Sequence, residues 1–213
     1  MVPVDFTTLR DLAMPQPLKQ PTSLDFTQAG IESRPQLAAL IVAICNSWSS
    51  IETILAMFLS LMLRTDRAVG VAIYYSAASL PLRLGLIKTV ARMTMPADMI
   101  SEVGALTNET RRRSTERNKI VHCTWATSID HPDALIRVDP AGYGIAWLRD
   151  YEKRADTLRA HQRLDPQNIT DGLEIYREPD FRHILEHLEA HLQRLIGAQM
   201  QWLDRRLEQA DQG

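Results

Sequence analysis

The sequence predicts a mainly α-helical protein, an up-and-down bundle of about five helices with a small β-hairpin before the last long helix. Three observations carry this. Residues 34 to about 64 are apolar almost all round, as the central helix of a bundle is. From 181 to about 208 the apolar residues recur every three or four positions, at Phe181, Ile184, Leu185, Leu188, Leu192, Leu195, Ile196, Leu203 and Leu207. Between these two lie proline-started segments with helical spacing, whose short connections make successive helices antiparallel neighbours.

Residues 1–33 carry Pro3, Pro15, Pro17 and Pro21. Proline sets φ and removes a donor, so an extended N-terminal arm is expected there, with 34–213 as a single helical domain. Ser33 offers an N-cap, with Pro35 in the first turn of the long apolar helix. A second helix spans roughly 66–78. Pro81 starts a third, to about 93, with Leu82, Leu86 and Val90 as its core face. Pro96 starts a fourth, whose stripe of Met99, Val103 and Leu106 stops at a polar run. After Trp125, Ala134-Leu135-Ile136-Arg137-Val138 and Ile145-Ala146-Trp147-Leu148 read as strands about the turn signal Asp139-Pro140-Ala141-Gly142, giving the hairpin near 134–148. Residues 150–178 admit a short helix near 151–162 and a strand near 173–176. Asp180 is expected to cap the last helix.

A chain of 213 residues suits one domain and is long enough for a sizeable core. Its net charge of −2 excludes a generally basic nucleic-acid coat, so any nucleic-acid contact must come from a local patch. Cys45 and Cys123 form no Cys-x-x-Cys and no disulfide framework. The opening Met1-Val2-Pro3-Val4-Asp5 has neither a basic nor an apolar leader region, and together these predict a cytoplasmic protein. Residues 37–63 are membrane-like in length. They carry Asn46, Ser47, Ser49, Ser50 and Glu52 near the middle, where a bilayer penalises them, so a buried helix and no membrane partner are expected.

The chemistry concentrates in the fourth helix. Residues 107–119 contain no apolar side chain, although 45% of the chain is hydrophobic. The run closes on Arg117-Asn118-x-x-x-His122. Three other Arg–His pairs have similar spacing: Arg154/His161, Arg177/His183 and Arg182/His187. Requiring a polar residue of the asparagine or histidine type after the arginine leaves Arg117-Asn118 and Arg182-His183. Of these, only the first follows an all-polar helical run.

This element resembles the R-x4–6-H motif of the HEPN family, in which a polar residue, often Asn, follows the arginine. The resemblance covers about six residues closely and 34–125 in outline; the N-terminal arm, the hairpin and the C-terminal region lie outside it. It implies a helical bundle that forms a homodimer with two motifs facing each other. It also implies a metal-independent endoribonuclease of toxin or defence type, acting on RNA without a cofactor or metal, and opposed by an antitoxin. In that reading Arg117 binds phosphate, Asn118 orients the scissile group and His122 does acid/base work. Cleavage by the ribose 2′-hydroxyl needs a base for that hydroxyl, a donor for the leaving oxygen and positive charge on the phosphate. Histidine titrates in the range this requires.

Arg111 and Arg113 are the candidate substrate-binding residues, although Glu109 and Glu116 sit close enough to neutralise part of the cluster. On an ideal helix Arg111, Asn118 and His122 fall within about 40° of one another while Arg117 points roughly 100–140° away. A bend, a helix end near His122 or a second protomer is therefore required. Glu52, alone in the long apolar helix, needs a partner if buried, and Arg117 is the expected one. His183, His187 and His191 share one helix face but lack a third strong ligand from elsewhere, so no metal site is read there. The same residues allow two other functions, a non-catalytic helical dimerisation module and a nucleic-acid binder without cleavage.

Overall fold

The computed structural model describes residues 14–155, 170 and 172–211. Among them are seven helices and one four-stranded antiparallel sheet, a mainly α-helical fold. In chain order they are β1 (Gln16–Pro17), α1 (Gln28–Glu32), α2 (Pro35–Leu63), α3 (Arg67–Ser76), α4 (Leu80–Thr94), α5 (Ala97–Val121), β2 (Thr124–Ala126), β3 (Ala134–Val138), α6 (Pro140–Ala155), β4 (Leu173–Arg177) and α7 (Glu178–Asp211). The chain divides into two units: residues up to 43 with 119–184, and 44–118 with the residues from 185 onward.

The first unit is built on the sheet, ordered β1-β4-β3-β2. Ala134, Ile136 and Val138 of β3 join Leu18, Ala126, Leu173 and Ile175 in one buried cluster, with Leu24 and Tyr143 packed against it. On the opposite face, by the two-residue alternation of a strand, lie the register partners Leu135 and Tyr176, both buried. The Tyr176 ring stands 5.3 Å from both Trp125 and Phe181. Burial of both faces is why β3 is apolar at every position but Arg137.

The expected hairpin at 134–148 is not formed. Residues 145–148 are helical, and β3 pairs with β4 and β2 instead. The reason is Asp139-Pro140. The Asp139 carboxylate accepts the Gly142 N–H at 3.0 Å and its carbonyl accepts the Tyr143 N–H at 2.9 Å, so Asp139 acts as an N-cap and Pro140 fills the first helical position. A helix start and a turn use the same residue types. Gly172, just before β4, takes a φ of +77°, a left-handed conformation that costs glycine little. Of the alternatives at 150–178, the strand is present as Leu173–Arg177, and 156–169 lie outside the described residues.

Residues 14–33 carry structure of their own. β1 pairs with β4, Asp25 and Thr127 exchange backbone hydrogen bonds of 2.8 and 2.9 Å, and the Thr22 hydroxyl bonds to Ser128 and Asp130. Thr27 caps α1 by accepting the Gly30 N–H. At the start of α7, Asp180 is not the N-cap. It lies inside the first turn, and its carboxylate accepts the Arg177 N–H at 2.7 Å, the reciprocal half of a capping box. Burial pushes this carboxyl up, opposed by the hydrogen bond from Arg177.

The second unit is helical. The α2 residues Ile44, Trp48, Ile51, Leu55, Phe58, Leu59 and Met62 are buried at helical spacing. Ser49, Ser50 and Thr53, on its polar middle, each donate to the carbonyl four residues back. By length and composition α2 is the one helix among the described residues that is able to cross a membrane, and 33% of the qualifying stretch is buried in the structure. Gly70 of α3 packs directly on Ser60 of α2. In α4 the buried face is Leu84, Ile87, Val90 and Ala91, whereas Leu82 is 60% exposed. Of the expected Leu82–Leu86–Val90 face only Val90 is buried and Leu86 is half-buried, so the core face is rotated toward Leu84, Ile87 and Ala91, the other apolar residues at helical spacing. In α5, Met99, Val103 and Leu106 are buried as expected.

Candidate functional site

The polar run of α5 continues the buried stripe rather than ending it. After Met99, Val103 and Leu106 come Thr107, Thr110, Arg113 and Ser114, all buried. Each polar group is satisfied. The Thr107 and Thr110 hydroxyls donate to Val103 and Leu106 carbonyls, and Ser114 donates to the Arg111 carbonyl. Thr110 also hydrogen-bonds the Nε2 of buried His191 at 2.8 Å. Burial pulls His191 down to about 4; Glu109 opposes this and Arg194, Arg113 and Arg112 reinforce it, so the ring is neutral at physiological pH.

Arg113 is taken out of the substrate-binding set by this packing. Its Nε donates to Glu109 at 2.7 Å and its Nη1 to Glu116 at 2.8 Å, with the side chain 6% exposed. Charge-assisted pairs of this kind hold a guanidinium against its own helix and leave it no phosphate to reach.

Arg111 and Arg117 behave differently. Together with Ser114, Thr115 and Asn118 they form one wall of a cavity of about 640 Å³. The opposite walls are Trp48 and Glu52 of α2, and Ala78, Ser79, Leu80, Pro81, Arg83 and Leu84 at the start of α4. The expected divergence of Arg117 from Arg111 and Asn118 is bridged by the reach of the two arginine side chains. Arg117 lies with its guanidinium carbon 5.7 Å from the Trp48 ring centre and donates from Nη1 to the Asn118 side-chain oxygen Oδ1 at 3.1 Å. A cation over a tryptophan face is favourable by about 0.5–1 kcal/mol at partly exposed sites. The Arg117 Nε has no hydrogen-bond partner among the described residues.

The expected Glu52–Arg117 pair does not form. Glu52 accepts from Arg83 Nη1 at 2.8 Å. Arg83 also donates from Nε to the Ala77 carbonyl at 3.1 Å, and its guanidinium sits 5.4 and 5.1 Å from the Tyr74 and Tyr75 ring centres. With Arg83 and Glu52 cancelling, Arg111 and Arg117 leave the cavity with two positive charges. The start of α4 adds to this field. Ser79 is its N-cap residue, makes no side-chain cap bond and is followed by Pro81. The first N–H groups of a helix lack partners within it and carry a partial positive charge.

No family model matches the chain, and no curated protein or solved structure does. The HEPN-like reading therefore stands on the residues. His122 is exposed, lies one position beyond the end of α5 and does not line the cavity. Burial pushes the thiol of Cys123 beside it up to about 11, which disfavours the thiolate at neutral pH. No group of three or more His, Cys, Asp or Glu side chains is placed to hold a metal among the described residues. Arg83 and Ser79 are polar cavity residues that the sequence alone left without a role. Pro81 was visible as a helix start, but nothing along the chain pairs Arg83 with Glu52.

Proposed function

We propose that the chain is an HEPN-like RNA-binding protein that acts as a metal-independent endoribonuclease. Arg111 and Arg117 hold a phosphate of the RNA backbone in the cavity, and Asn118 orients it. His122 contributed by a second copy does the proton transfer. The observation that carries this reading is the release of Arg117 from Glu52. Because Arg83 takes the carboxylate, Arg117 and Asn118 line an open, net cationic cavity with Arg111. Guanidinium forks suit phosphate oxygens in both charge and geometry.

The purified chain, incubated with single-stranded and structured RNA in EDTA, is expected to cleave. Arg117→Ala and His122→Ala are each expected to lower the rate by at least about 100-fold, the scale of losing one electrostatic or acid/base contribution. Intact RNA after incubation with folded wild-type protein contradicts cleavage. A second reading, an RNA binder without cleavage, is favoured by one observation, the position of His122 outside the cavity lining. It predicts that RNA binding survives His122→Ala and weakens steeply with salt.

A further inference from the structure

We propose that Glu52 is the general base of the Arg111–Arg117 cavity, taking the proton from the ribose 2′-hydroxyl that attacks the held phosphate. This rests on the ribonuclease reading above and assigns a residue to a step that reading leaves to histidine. Glu52 is the one carboxylate among the residues lining the cavity, which it shares with Arg111, Arg117 and Asn118. Its two oxygens are in different situations. Oε1 accepts from Arg83 at 2.8 Å, whereas Oε2 has no hydrogen-bond partner among the described residues. The side chain keeps 23% of its surface open.

Arg83 is itself held on several sides. It donates to the Ala77 carbonyl and lies against the Tyr74 and Tyr75 rings, so the cation that aims Glu52 is engaged away from the substrate as well. A carboxylate in an anion site weakens binding by charge repulsion. That cost has a chemical use here, because a base must sit beside the phosphate to reach the attacking hydroxyl. Arg111, Arg117 and Asn118 would hold the diester in place while Glu52 receives the proton.

The step balances without oxidation or reduction. The 2′-O–H proton passes to Glu52 Oε2, and the 2′-oxygen forms a bond to phosphorus. The bond from phosphorus to the 5′-oxygen breaks, its electron pair leaving with that oxygen, which takes a proton from the protonated His122 of the second copy. The products are a 2′,3′-cyclic phosphate end and a 5′-hydroxyl end; Glu52 then gives its proton to water and His122 takes one back from it.

The test measures single-turnover cleavage and RNA affinity side by side, in EDTA, for the full chain and for Glu52→Gln and Glu52→Asp. Glutamine keeps an oxygen for Arg83 but cannot take the proton. Glu52→Gln is expected to lose at least about 100-fold in rate while binding RNA as tightly as the wild type or more so, and Glu52→Asp to retain measurable cleavage. Cleavage by Glu52→Gln within about twofold of wild type overturns the assignment. So does a parallel loss of affinity and rate in Glu52→Gln, since Glu52 then only holds Arg83. A wild-type chain that binds RNA but leaves it intact overturns the ribonuclease reading itself, and one that does neither removes the RNA site as well.

Discussion

Arg113 and Arg117 lie four residues apart on one helix and have opposite fates. Arg113 is enclosed by Glu109 and Glu116, while Arg117 rests on the Trp48 ring at the wall of a cavity. The local sequence made the first outcome readable, because Glu109 and Glu116 are at helical spacing from Arg113. It could not reveal the second, since Trp48 and Glu52 are far from Arg117 along the chain. The need of Glu52 for a cation was legible from its isolation among apolar residues; that the cation is Arg83 is a consequence of tertiary packing. A residue-scale prediction concerns His191. Its folded value of about 4 lies below the ordinary 6.5, so the unfolded chain binds a proton that the native ring refuses. Stability is then whole above pH ~6.5 and falls as the pH drops toward ~4, by up to about 3 kcal/mol. Urea unfolding between pH 7 and 4.5 is expected to lose stability more steeply in the wild type than in His191→Gln, which keeps a polar contact for Thr110. Equal pH dependence of the two would contradict this origin.

At the scale of elements, the helix periods were legible wherever apolar residues marked them. The buried positions of α2, the start of α5 and most of α7 follow the 3.6-residue pattern. The period failed to describe α5 past Leu106, because a helix can bury threonine, serine and arginine when each finds a partner. It was also misread at Asp139-Pro140, where an N-cap and a hairpin turn look alike. Close packing of α2 on α3 gives a direct test. A Cβ at Gly70 would meet Ser60 Cβ at 2.4 Å and Ser60 Cα at 2.5 Å, and the backbone atom cannot move aside cheaply. Gly70→Ala is expected to destabilise by about 1–3 kcal/mol despite alanine's better helix propensity. At Gly85 of α4 a Cβ would meet nothing within 4 Å. Gly85→Ala is expected to stabilise by about 0.4–1 kcal/mol. Thermal melts of the two variants should move in opposite directions, and a shared direction would contradict the packing described.

At the scale of the whole molecule, the net charge of −2 concealed the feature that matters most. Charge is unevenly placed: Glu109 and Glu116 neutralise Arg113 locally, and Arg83 neutralises Glu52, leaving Arg111 and Arg117 uncompensated at one cavity. A composition average cannot register such pairing, although the mainly helical class was plain from hydrophobic periodicity alone. RNA affinity against salt concentration, followed by fluorescence anisotropy of a labelled single strand, tests the cavity most directly. The comparison is between the wild type and the Arg111→Ala/Arg117→Ala double variant. If both arginines contact phosphate, the variant binds at least about tenfold more weakly at low salt, and its log–log salt slope is smaller by about 1.4, the share of two phosphate contacts on a single strand. The same affinity and the same slope in both proteins would contradict a phosphate site in this cavity.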